Sequence, residues 1–209
     1  MDNAIKRKPK YEVLEYLQSS WSGQPTINTN YYPSLSYFRL DLKFSVLSYN
    51  WFDDIFGAYK DNFRYLNMEL QRNNSFVVFN GNQNVKVAYS LDTIYDYSFI
   101  DNNGTFSLYD NNTGSLITSS SYSGSSASEY AFGLFGMYYP NDDRWIGSNI
   151  NIYSAKMYSS ETTLVRDYVP AKRILDGALG LYDKVHNKFY ENAGTGTFIG
   201  GNTIGKIIY

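Results

Sequence analysis

The sequence predicts an all-β protein built as a two-sheet antiparallel sandwich. Three observations carry that reading: runs of strict apolar–polar alternation, Asn/Asp/Gly-rich turns between them, and a near absence of helical periodicity. At 209 residues, one sandwich is long enough to bury a self-sufficient core.

Lys10 to Gln18 is the nearest thing to a helix, but it is short and has no clear cap. Further on, Phe38, Leu40, Leu42, Phe44 and Val46 alternate with Arg39, Asp41, Lys43 and Ser45, a period of two with one face inward and one wet. Val85, Val87 and Tyr89 repeat the pattern. Phe106 and Leu108 lead into Asp110-Asn111-Asn112-Thr113-Gly114, and Leu116 resumes after it. Asn, Asp and Gly tolerate positive φ, so this is a hairpin. Ser119 to Ser128 reads as a flexible loop within the same domain. Tyr130 to Met137 is apolar on both faces and reads as one central strand, with Gly133 and Gly136 where something packs close.

Ile150 and Ile152 share one phase, and Tyr153, Ala155 and Met157 the other. That slip predicts a β-bulge near Ile152. Ser159 to Thr162 turns the chain into a strand over Leu164 to Val169, which Pro170 is expected to end because it cannot donate a ladder hydrogen bond. Gly180 to Tyr190 reads as a hairpin turning at Lys184 to Asn187, and a glycine-spaced segment, Asn192 to Phe198, follows. No internal repeat interrupts the series.

Cysteine is absent, which excludes a disulfide framework and thiolate metal sites. A formal net charge of −2 gives no field to recruit nucleic acid. No apolar run approaches the ~18 residues of a membrane span, and the leader lacks a signal core. The expectation is a soluble chain without membrane insertion. The basic run Lys6, Arg7, Lys8 and Lys10 reads either as a solvated leader or as a contact with a partner. Tyrosine is the outlier, at 22 residues beside 13 Phe and 3 Trp. Such rings suit pleated sheet faces, and Tyr with Ser, Gly and Asn also builds recognition loops.

Several segments together resemble the concanavalin A-like, laminin G-type jelly-roll domains of bacteriophage structural proteins (capsid decoration, fibre or tail). They are Glu15-Tyr16-Leu17-Gln18-Ser19, Thr26-Ile27-Asn28-Thr29, Ile152 to Tyr158, Leu164-Val165-Arg166-Asp167-Tyr168-Val169-Pro170, Gly180-Leu181-Tyr182-Asp183 with Lys188-Phe189-Tyr190, and Gly194-Thr195-Gly196-Thr197-Phe198. The sequence departs from the pattern at Ser20-Trp21-Ser22-Gly23, a small insertion, and at an apolar ending. The resemblance implies one jelly-roll domain over residues 12–200, preceded by a leader (1–11) and followed by an apolar tail (201–209). It further implies a virion protein assembled in the bacterial host cytoplasm. Its partners would be other virion structural proteins and copies of itself, docked through Lys6, Arg7, Lys8, Ile204, Ile207, Ile208 and Tyr209.

Residues for chemistry are few. Glucanases on this fold use a Glu-x-Asp-x-x-Glu strand, which is absent here, so the expectation is a protein that is not an enzyme. His186 is the only histidine, and its place at a hairpin turn makes a wet, poorly oriented ring. Asp53-Asp54 and Asp142-Asp143 read as polar loop acids; the alternative is a cation or sugar-hydroxyl site, with Ca²⁺ the one candidate cofactor. Two segments are candidates for a sugar platform: Trp51, Asp53 and Asp54, and Tyr139, Asn141, Asp142, Asp143 and Trp145. Sugars stack on rings while amides and carboxylates bind their hydroxyls. The alternative function is therefore a lectin module for bacterial surface polysaccharide, and a glycan hydrolase stands third.

Overall fold

A computed structural model describes residues 9–20, 23–34, 36–49, 53–60, 63–71, 75–80, 83–121 and 130–207. Among them every regular element is a strand: β1 (Tyr11–Leu14), β2 (Leu17–Gln18), β3 (Ile27–Asn28), β4 (Tyr37–Ser48), β5 (Asp53–Lys60), β6 (Phe63–Gln71), β7 (Ser75–Asn80), β8 (Gln83–Ala88), β9 (Ile94–Asn102), β10 (Thr105–Asp110), β11 (Ser115–Ser121), β12 (Gly133–Leu134), β13 (Gly136–Tyr139), β14 (Arg144–Gly147), β15 (Asn149–Tyr158), β16 (Leu164–Arg173), β17 (Leu179–Asp183), β18 (Lys188–Tyr190), β19 (Ile199–Gly200) and β20 (Thr203–Ile207). They form two sheets. One has the order β11-β10-β9-β4-β15-β16-β1-β20, with β17, β18, β2 and β19 attached. The other runs β14-β13-β5-β6-β7-β8, with β12 and β3 attached. Pairing is antiparallel apart from one parallel contact, Gly136 with Phe56. The fold is the expected all-β jelly-roll sandwich.

The alternation written into β4 decides the layers. Phe38, Leu40, Leu42, Phe44 and Val46 are fully buried, and their neighbours face outward. Rings lock the sheets together. Phe56 of the second sheet lies 4.8 Å from Phe99 of the first, and Phe44 lies 5.6 Å from Phe76. Each fully buried Phe contributes about 1.5–3 kcal/mol. The expected bulge is present, between Ile152 and Ser154.

Three local expectations are corrected, and the one stretch with any helical character is strand. Tyr130 to Met137 is not one strand: Phe135, with φ 67°, breaks it into β12 and β13. The glycines there do permit close approach, because a Cβ at Gly136 would run into the Ile146 carbonyl. Pro170 does not end its strand; β16 continues to Arg173. Its pairing with β15 stops at Tyr168 and its pairing with β1 begins at Ala171, so Pro170 sits at the changeover, where no ladder donor is demanded. Lys10 to Gln18 holds strands rather than helix. The apolar ending is not a tail outside the domain. Thr203–Ile207 is edge strand β20 against β1, with Tyr11 opposite Ile207. Ile207 packs into a small second core with Ala171 and Tyr182.

The C-terminal hairpin turns where expected, but His186 is not poorly oriented. Its Nδ1 lies 2.7 Å from Oδ2 of Asp183. Asp183 is fully buried and also accepts the backbone N–H groups of Asp167 at 3.1 Å and Val185 at 3.0 Å. The Arg166 Nε stands 3.6 Å away. This carboxylate ties the turn to β16.

Candidate functional site

The second sheet gathers the two segments picked out for sugar recognition. Asp53 and Asp54 are corrected from loop acids to strand residues: both lie on β5 and are buried. Period-two geometry sends them to opposite faces. Asp53 stands opposite Leu70, in a core row. Asp54 stands opposite Glu69, and that row continues through Val77 to Lys86 on β7 and β8.

Asp54 is the hub. It is fully buried, and its Oδ1 accepts the Asn67 amide at 2.6 Å. Its Oδ2 accepts the hydroxyl of Tyr139 at 2.8 Å, across 85 residues of sequence. These bonds, made away from water, fix the β13–β14 hairpin against β5. On the hairpin's other face, Trp145 pairs directly with Tyr138, with rings 5.5 Å apart, and Tyr130 lies 5.5 Å beyond Tyr138. All three rings are half-buried. The turn between the strands carries Asn141, Asp142 and Asp143, all exposed as the loop reading expects. Asp143 accepts the Tyr138 hydroxyl, and that bond, reinforced by desolvation, pushes the phenol up from its ordinary value. Arg144 Nη2 holds Asp142 at 3.1 Å.

The structure thus puts Tyr139, Asn141, Asp142, Asp143 and Trp145 on one hairpin, anchors it to Asp54 through Tyr139, sets Trp145 on the opposite face of the hairpin from Tyr139, and turns Asp53 away. Trp51, Lys6, Arg7, Lys8, Ile208 and Tyr209 lie outside the described residues. Ile204, two-thirds exposed, and Ile207 are on β20, remote in sheet order from this hairpin. Among the described residues no three His, Asp or Glu side chains gather to hold a cation.

Sequence reasoning missed Asn67 and Glu69. Both are fully buried polar residues in the alternating run Asn67-Met68-Glu69-Leu70-Gln71. That alternation was the available signal. Asn67 Oδ1 has no hydrogen-bond partner although buried. The Asp54–Glu69 carboxylate pair is assembled from two strands, so no single-strand motif announces it.

The sequence matches no protein-family profile and no curated protein. Among solved structures it is similar to Trypanosoma rangeli sialidase in complex with the inhibitor DANA, at 14% identity and TM-score 0.46, over 59% of this chain and 20% of the sialidase. It is also similar to alginate lyase AlgAT5 from polysaccharide lyase family 7, at 13% identity and TM-score 0.39, over 58% of each chain. A third likeness is the alginate lyase from Corynebacterium sp., at 16% identity and TM-score 0.33, over 75% of this chain and 65% of that one. The chain therefore spans only a fifth of the sialidase. Likenesses this distant leave ligand and chemistry open. They do correct one expectation, that the chain is not an enzyme. The solved structures that it resembles are themselves enzymes.

Proposed function

We propose that this protein is a glycan-recognition jelly-roll module, with its sugar platform on the β13–β14 hairpin. The observation that carries the reading is the Tyr139–Asp54 hydrogen bond. It anchors the hairpin to β5, and the hairpin's other face presents the Tyr138 and Trp145 rings, with the Asn141, Asp142 and Asp143 turn at their end. Rings for the apolar face of a pyranose and polar groups for its hydroxyls are what saccharide binding requires. Asp54 and Glu69 are fully buried. As placed, they support the floor of the platform rather than reach a bound chain.

The setting follows from the motif resemblance. In this reading the module belongs to a bacteriophage particle, assembles in the host cytoplasm with its own copies and other virion proteins, and recognises a bacterial surface polysaccharide. The segments Leu164 to Pro170 and Gly180 to Asp183 support it.

The test is a bacterial polysaccharide array probed with the isolated protein, alongside Trp145→Ala and Tyr139→Phe. Binding weakened at least about tenfold in Trp145→Ala, with an unchanged circular dichroism spectrum, is the expected result. Silence of the wild-type protein across the array would refute the reading. A turnover assay on whichever polysaccharide binds shows whether it is also cleaved.

A further inference from the structure

The outward face of the first sheet carries an open groove of about 700 Å³, within the roughly 300–1,000 Å³ range of ligand clefts. Strand register builds its floor. Across β4, β9 and β10, outward residues stand in three rows: Tyr37–Asn102–Thr105, Arg39–Ile100–Ser107 and Asp41–Ser98–Tyr109. Their inward neighbours Phe38, Leu40, Phe99, Phe106 and Leu108 are core, so these side chains are held at the surface by the pleat itself. The β9–β10 turn sets Asn102 and Asn103 at one end, with Asn103 at φ 46° and Gly104 at φ 84°. Glu161, from the turn before β16, lines another wall.

Arg39 at the centre is fixed on several sides. Its Nε and Nη2 donate to the two oxygens of Asp41 at 2.6 and 2.8 Å, and its guanidinium lies 4.9 Å from the centre of the Tyr158 ring. The Ser98 hydroxyl holds Asp41 in turn, at 2.6 Å. The planar guanidinium is thus pre-set, with its charge already matched. Arg39 is already matched by Asp41, and the other charged residue of the lining is Glu161, so the groove offers an acidic saccharide no free cation. The hydroxyls of an uncharged one meet amides, hydroxyls and tyrosine rings.

We infer that this outer groove is a second saccharide site, separate from the β13–β14 platform and selective for neutral oligosaccharides over uronate- or sialate-containing ones. It stands on residues of β4, β9 and β10 that the platform does not use, so either site can fail alone.

The experiment is backbone-amide NMR titration of the full chain with cello-, malto- and chito-hexaose, and with an alginate hexamer and a sialic acid oligomer as acidic counterparts. Shifts confined to Asn102, Asn103, Thr105 and Ser107 with at least one neutral hexamer are expected, and none with the acidic pair. Tyr109→Ala and the rim variant Asn102→Ala should each weaken that binding about tenfold, while Trp145→Ala leaves it unchanged. Three outcomes would overturn the inference: no neutral hexamer shifts these amides at millimolar concentration, the acidic oligomers bind equally well, or Trp145→Ala abolishes the shifts.

Discussion

Asp183 shows how much one carboxylate can organise. It is fully buried, and it binds two backbone amides and the His186 ring beside Arg166. Asp183→Ala removes the acceptor and leaves Arg166, whose side chain is 13% exposed, without its counter-charge. The expected cost is about 3 kcal/mol in urea unfolding, with the β17–β18 turn losing amide protection first. Asp176 behaves differently because it is at the surface. Hydrogen bonds from Arg173 and from the Ala178 amide lower its carboxyl from the ordinary 3.8 to about 2. A lowered value means that the stabilising contribution is present above about 3.8 and is lost as pH falls through 2. Arg173→Ala should return the carboxyl titration, followed by NMR, towards the ordinary value; an unmoved midpoint would refute the assignment. At this scale the sequence spoke unevenly. The turn acids Asp142 and Asp143 were legible as loop residues. The burial of Asp54, its bond to Tyr139 and its pairing with Glu69 were not, because strand register between distant segments leaves no local mark.

Elements were more readable where one face is wet. The alternation of β4 and the bulge in β15 follow from period two alone. Reading failed where an element changes neighbours. Pro170 looks like a terminator until β16 is seen to exchange β15 for β1 at that residue. The break at Phe135 rests on a positive φ that a Phe does not advertise. The ending was misjudged for a related reason: an apolar run is equally consistent with a docking segment and with an edge strand. Its pairing with β1 makes a specific forecast. Deleting residues 203–209 strips the outer edge of β1 and removes Ile207 from its contacts with Ala171 and Tyr182. Lowered thermal stability and concentration-dependent association are expected in light scattering, since an uncovered strand edge recruits other strands. A truncated chain that melts like the full one and stays monodisperse would show that β20 contributes nothing.

For the molecule as a whole, the tyrosines set the alkaline limit. Burial, with a smaller contribution from Tyr95, pushes Tyr97 up to about 12. Burial pushes Tyr89 and Tyr168 higher still. The charged phenolate is disfavoured in the fold, so each folded value exceeds the unfolded one near 10. Their stabilisation is complete below about pH 10 and is lost as pH rises through 12. Ultraviolet titration should show a late group of phenols that ionise only as near-ultraviolet circular dichroism collapses. A single early transition of all 22 tyrosines with the fold intact would contradict that order.

The seam at the sheet margin also bears on where the module can be changed. The Lys10 amide donates to the Ile207 carbonyl at 2.9 Å, so the first and last described stretches of chain run side by side. Lys10 and Ile207 therefore meet at one margin of the first sheet, at the far end of the strand order from β9 and β10 and off the sheet that holds the β13–β14 hairpin, so a change at this margin leaves both of those regions untouched.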